Sequence, residues 1–189
     1  MKKIFLLNKV TFLWTILIFS GIVFAVLIIW TFNLYPVAFV NYRPIMAYTY
    51  FNSVNVSEKY YGNMINMSDA SNIKTLRQAV LQGLIDEVAI DKRLSQDMTS
   101  AEVQSKIDSQ SKSLINDPNV QKGLSQRSIS ISDAEKYFFP IAIKNEILTG
   151  QLELEGKDLT SWLVGARKDL KVVILLPGVN WISGEVKFD

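Results

Sequence analysis

Between residues 10 and 32 the chain carries no charge and no proline, and almost every side chain is apolar. Wound into an α-helix at about 1.5 Å per residue, this run reaches roughly 34 Å, enough to cross a hydrocarbon core of about 30 Å. Lys2, Lys3 and Lys9 accompany its start, and the first acidic residue is Glu58. Positive charge resists transfer across a bilayer. The sequence therefore predicts a cytoplasmic tip at residues 1–9, a transmembrane signal-anchor helix at 10–32 and an extracytoplasmic domain at 33–189. The expectation is a single-pass protein of the cytoplasmic (inner) membrane with its N-terminus inside, its partner there being the lipid bilayer through residues 10–32. A cleaved signal peptide is the alternative that such a leader allows. Signal-peptide cores run about 7–15 residues and end at small side chains. The run here is longer and leaves through Trp30, Phe32, Leu34 and Tyr35. Trp14 near one end, with Trp30 and Tyr35 near the other, matches the aromatic belts of an inserted helix, and a retained anchor is the preferred reading.

The net charge of +2 belongs to that tip. Of 20 basic residues three are its lysines, which leaves 17 against 18 acids in the remainder. A basic balance arising this way reports topology and predicts no nucleic-acid partner. The chain has no cysteine, so disulfides, thiol chemistry and a lipidated-cysteine anchor are excluded. It has no histidine, which removes the usual proton shuttle and the commonest metal ligand. Neither a glycine-rich phosphate loop nor a Gly-x-Ser-x-Gly elbow is present. The expectation is a protein that is not an enzyme and uses no cofactor or metal.

Beyond the apolar run the pattern is mainly helical. Residues 37–40 form a short β-prone run, and Asn41-Tyr42-Arg43-Pro44 is turn chemistry. Ser57 is a plausible cap for a helix reaching Met64, with a polar linker over 63–72. Ile73, Leu76, Val80, Leu84 and Val88 recur at helical steps, widened by Leu81, Ile85 and Ala89, and predict a helix over 71–94. Thr99 and Glu102 fit a capping box that opens the next helix, which ends before Pro118. Residues 119–131 are polar, and Ser132 with Glu135 fits a second box. Pro140 lies inside the helix that follows and should kink or interrupt it. A last helix over 157–168 precedes a β-rich run at 172–176, stopped by Pro177-Gly178, and one further strand within 179–188. The fold class expected is mainly α with a small β element in which the terminal strands of the exported domain pair.

The order of these pieces carries a resemblance. A membrane signal, Val37-Ala38-Phe39-Val40-Asn41, Pro44-Ile45, the helix with Leu84-Ile85-Asp86-Glu87, the capped Ser100-Ala101-Glu102-Val103 helix and a helix with an internal proline follow one another. Together they resemble the N-terminal chaperone domain of the SurA family, shared by membrane-anchored parvulin-type foldases such as PpiD and PrsA. Trp162-Leu163, Ala166-Arg167-Lys168 and Val172-Val173-Ile174 resemble that family's last helix and strand, so the likeness covers residues 37–176. The chain carries Tyr42 where the family usually has glycine. No parvulin isomerase domain follows, so the family's isomerase activity is not expected. What the resemblance implies is a helical chaperone domain for protein folding in the bacterial envelope.

Two groups of residues invite a chemical reading. Asp86, Glu87 and Asp91 could suggest acid–base or metal chemistry, but adjacent helical residues point about 100° apart, and Glu87 with Asp91 reads as a solvated flank beside Lys92 and Arg93. Tyr48, Phe51, Tyr60, Tyr61, Met64 and Met67, joined by Phe138 and Phe139, form an aromatic and methionine set suited to peptide binding. Aromatic rings give large contact area at low entropic cost, and methionine adapts to varied apolar partners. Packing against the long helix is the plainer reading of each alone. The function expected is a chaperone module that binds unfolded or exported polypeptides by apolar contact. A bitopic envelope scaffold docking one specific protein is the alternative, and a peptidyl-prolyl isomerase the third.

Overall fold

Five residues after the N-terminal helix the chain enters β1 (Pro36–Val40), which turns into β2 (Arg43–Met46). Asn41 and Tyr42 close that turn at φ 49° and 66°. Two successive left-handed residues give a turn whose twist matches the strands it joins. Tyr42 therefore holds the tight turn although it is not glycine. The structure, a computed structural model, describes the backbone of residues 2–189 and the side chains of residues 14, 15 and 17–189. The side chains of the expected tip at 1–9, and of the start of the expected span, lie outside the described residues.

The N-terminal helix, α1 (Lys2–Thr31), is continuous. Among the described residues no helix is long and apolar enough to cross a membrane. The unbroken described run of α1, residues 17–31, holds 15 residues, short of the about 20 that a span takes. Every described side chain of α1 is exposed, including Leu17 at 66%, Phe24 at 65% and Trp30 at 73%.

The domain beyond α1 is mainly helical. Its helices are α2 (Ala47–Tyr61), α3 (Ala70–Asp97), α4 (Ser100–Asn116), α5 (Pro118–Gln126), α6 (Ile131–Tyr137), α7 (Phe139–Leu154) and α8 (Leu159–Lys168). The chain closes with β3 (Val172–Ile174), β4 (Val179–Ile182) and β5 (Glu185–Phe188). β3 returns beside β1 to give an antiparallel sheet in the order β2-β1-β3, with Ala38 opposite Ile174 and Val40 opposite Val172. The expected pairing of terminal strands is thus present.

Several local expectations need correction. α2 starts at Ala47, ten residues before the expected cap at Ser57, because Ala47, Tyr50, Ser53 and Val54 are buried on one face. That packing overrides the β-leaning local preferences of Tyr and Thr. The polar stretch 119–131 contains α5, with Pro118 in its first turn and Asp117 accepting from the Asn119 amide. Proline is compatible with a first turn because its missing N–H would have had no partner there. The cap of α6 is Ser130, whose hydroxyl accepts from the Asp133 amide, so Ser132 lies within the helix and not at its start. The single strand expected over 179–188 is a hairpin turning at Ser183 (φ 54°) and Gly184 (φ 89°). Other expectations hold as stated. Thr99 and Glu102 form the reciprocal capping box, and the helix containing Pro140 is interrupted, α6 ending at Tyr137 and α7 starting at Phe139.

α3 is the spine of this domain. Leu81 and Ile85, both 0% exposed, face β1, the start of α2 and the C-terminal hairpin. Ile90 and Leu94, further along, pack on Leu148 and Leu152 of α7 and on α8. A third cluster joins Val56 of α2 to Ile107, Ile129, Ala134, Phe139 and Ile143. Each fully buried leucine or isoleucine contributes about 1.5–3 kcal/mol, so the helical body is held from both ends of α3.

Candidate functional site

Where α2, α3 and the α6–α7 junction meet, they leave a cleft of about 320 Å³. Ser53, Ser57 and Tyr61, one turn apart along α2, form one wall. Ala79, Val80 and Gly83 of α3 form the floor, and Tyr137, Phe138, Ile141 and Asn145 close the far side. The break before α7 is what brings Tyr137 and Phe138 to the rim. Proline cannot donate at position 140, so α7 begins anew there and the chain turns at Phe138 (φ −117°). Asn52 Nδ2 then donates to the Tyr137 hydroxyl at 2.8 Å and pins the junction to α2.

No charged side chain lines this cleft. The arrangement suits binding of neutral, mainly apolar matter. Two details mark it. Ser53 is 7% exposed, and its hydroxyl has no hydrogen-bond partner; an unsatisfied buried polar group costs about 1–3 kcal/mol. Gly83 stands in the interior of α3, where glycine costs about 1 kcal/mol relative to alanine, yet a Cβ built there meets nothing within 4 Å. Packing does not require glycine at 83, and its effect is to keep the floor open.

The expected peptide-binding residues divide. Tyr61 and Phe138 line the cleft. Tyr60 lies behind them, its ring 5.0 Å from Tyr61 and 5.2 Å from Phe138, with the Arg127 guanidinium 4.9 Å away. Phe139 is 5% exposed inside the core of α4, α6 and α7 and takes no part in the lining. Met64 (58% exposed) and the half-buried Met67 lie past the end of α2, outside the lining. Tyr48 and Phe51, 38% and 40% exposed, are at the opposite end of α2. The expected list omitted Ser53, Gly83 and Asn145. Of these only Gly83 had a visible signal, a lone glycine inside a strong helical period.

The acidic residues of α3 do structural work. Asp86, 8% exposed, takes a two-pronged contact from Arg167 of α8, Nε to Oδ1 at 2.8 Å and Nη2 to Oδ2 at 2.6 Å. Glu87 and Asp91 both grip Lys144 of α7, at 2.6 and 2.9 Å. They are a clamp between helices, and the expectation of a solvated flank is corrected. Burial pulls the Lys144 pKa down, but the two carboxylates outweigh it and hold the amine above its usual value. A lysine so held is an ammonium at neutral pH and no nucleophile.

The chain matches no protein-family model, no characterised protein and no solved structure.

Proposed function

We propose that this chain is a membrane-anchored, extracytoplasmic chaperone module of the SurA N-terminal type. It would hold unfolded or exported polypeptide by transient apolar contact in the cleft between α2, α3 and the α6–α7 junction. The observation that carries the reading is the open floor at Gly83: an uncharged cleft kept clear by a helix-weakening residue that packing does not demand. Asn145, on the far side of the cleft, supplies a polar group for a peptide backbone to meet.

Two client side chains of leucine or phenylalanine size would bring about 3–6 kcal/mol of apolar burial. That corresponds to a Kd of about 40 μM or weaker, which suits release as well as capture. The anchor reading is supported by α1. Its described side chains are apolar on every side and exposed to the surroundings of the domain, and a helix apolar all round needs burial in protein or lipid. Tethering at the bilayer would raise the concentration of the module around emerging chains.

The test uses the full chain in lipid nanodiscs with an aggregating unfolded client. Suppression of light scattering at several-fold excess is expected. Gly83→Leu should fill the cleft and abolish the protection while raising thermal stability, because leucine is the better helix former by about 0.8 kcal/mol. Full protection by Gly83→Leu, or none by the parent, would sink the proposal.

A further inference from the structure

α1 and the domain are joined without a loose tether. Asn33 adopts φ 53°, and the Leu34 amide donates back to the Ile29 carbonyl at 2.9 Å, the left-handed stop that ends many helices. The residues between α1 and β1 are then tied to the domain. The Tyr48 amide donates to the Asn33 carbonyl at 3.1 Å, and the Ala47 amide to the Tyr35 carbonyl at 2.8 Å. The Trp30 and Tyr35 rings lie 5.9 Å apart. The end of α1 and the start of α2 are therefore fastened to each other.

This juxtaposition gathers large exposed side chains in one place. Trp30, Phe32 and Leu34 are 73%, 64% and 47% exposed, and Tyr48 and Phe51, one turn apart on the adjoining α2, are 38% and 40%. The Lys136 ammonium stands 6.0 Å from the Tyr48 ring. Aromatic rings with an apolar body and a polar tip concentrate at the headgroup level of membranes, and a lysine beside them complements anionic headgroups.

We propose that these five residues form a collar that seats the domain on the outer bilayer surface, with Lys136 facing anionic headgroups, so that the domain keeps one orientation and does not swing freely. This rests on the reading that α1 spans the membrane. Tyr48 and Phe51 then belong to the lipid contact and not to the cleft.

The absence of cysteine makes any introduced thiol unique. Ile22→Cys, Tyr42→Cys, Tyr48→Cys and Phe51→Cys chains carrying an environment-sensitive fluorophore would be placed in vesicles of phosphatidylethanolamine and phosphatidylglycerol. Some of the lipids carry a nitroxide at the headgroup. Probes at 48 and 51 should be quenched several-fold more than the probe at 42, on the tip of the β1–β2 turn. Equal quenching at 42, 48 and 51, with position 22 shielded from aqueous iodide, would overturn the collar and leave the span standing. Iodide access at position 22 would overturn the span and the collar together.

Discussion

Single side chains set the local energetics more than their types suggest. Tyr42 is 85% exposed, so no packing offsets its left-handed backbone. That conformation costs a residue with a Cβ about 1–2 kcal/mol, against about 0.4–1 kcal/mol for the extra unfolded-state freedom of glycine. Tyr42→Gly should therefore stabilise the domain by about 0.5 kcal/mol, a rise in Tm of about 1–2 °C for a domain this size. A lower melting temperature would show that the tyrosine makes an unrecognised contact. Lys144 illustrates the converse. In sequence it is an unremarked surface-type residue, and only its place opposite Glu87 and Asp91 makes it a partly buried link.

Among the elements, helix starts were legible where the cap chemistry is local. Thr99 with Glu102 was readable because both partners lie within four residues. The starts of α2 and α5 were not: α2 has no side-chain cap, and Pro118, which closes α4, also opens α5, a nine-residue helix whose apolar stripe is only Val120 and Leu124. The capped starts predict how the fold responds to acid. Backbone amides donating to Asp69, Glu102 and Asp158 hold each carboxyl below its usual pKa, from Ser71, Thr99 and Ser161 respectively. Each group favours the folded state above its unfolded pKa of about 3.9–4.3 and loses that contribution as pH falls through the lower folded value. Urea midpoints should drop below about pH 4, and less steeply in an Asp69→Asn, Glu102→Gln, Asp158→Asn chain. Glu155 and Glu185, also lowered by pairing with Lys157 and Lys187, should keep part of the slope. An identical acid profile in the triple variant would refute the assignment.

For the molecule as a whole, the decisive links join distant parts of the chain. Gln82 donates to Asp86 at 3.1 Å and accepts from the Val186 amide at 2.9 Å, so one polar network fastens α8 and β5 to α3. Gly184 fits over Arg167 because a Cβ there would lie 3.3 Å from that residue's Cβ. Asp86→Ala should cost about 2–3 kcal/mol, below the range for fully buried pairs because both groups keep some water contact. Arg167→Ala should cost at least about 1 kcal/mol less in that background than in the parent. Additive losses in urea unfolding would disprove the coupling.

What could be read from the chain was whatever its own neighbours decide. The helical periods of α3, the capping box at Thr99, the interruption at Pro140 and the β-rich ends all depend on residues a few positions apart. The Asn52–Tyr137 bond that pins the cleft, the hold of Glu87 on Lys144 and the pairing of Asp86 with Arg167 join residues 85, 57 and 81 positions apart. No local preference encodes such meetings. They follow from how the helices stack on α3, a matter of shape and burial summed over the whole fold.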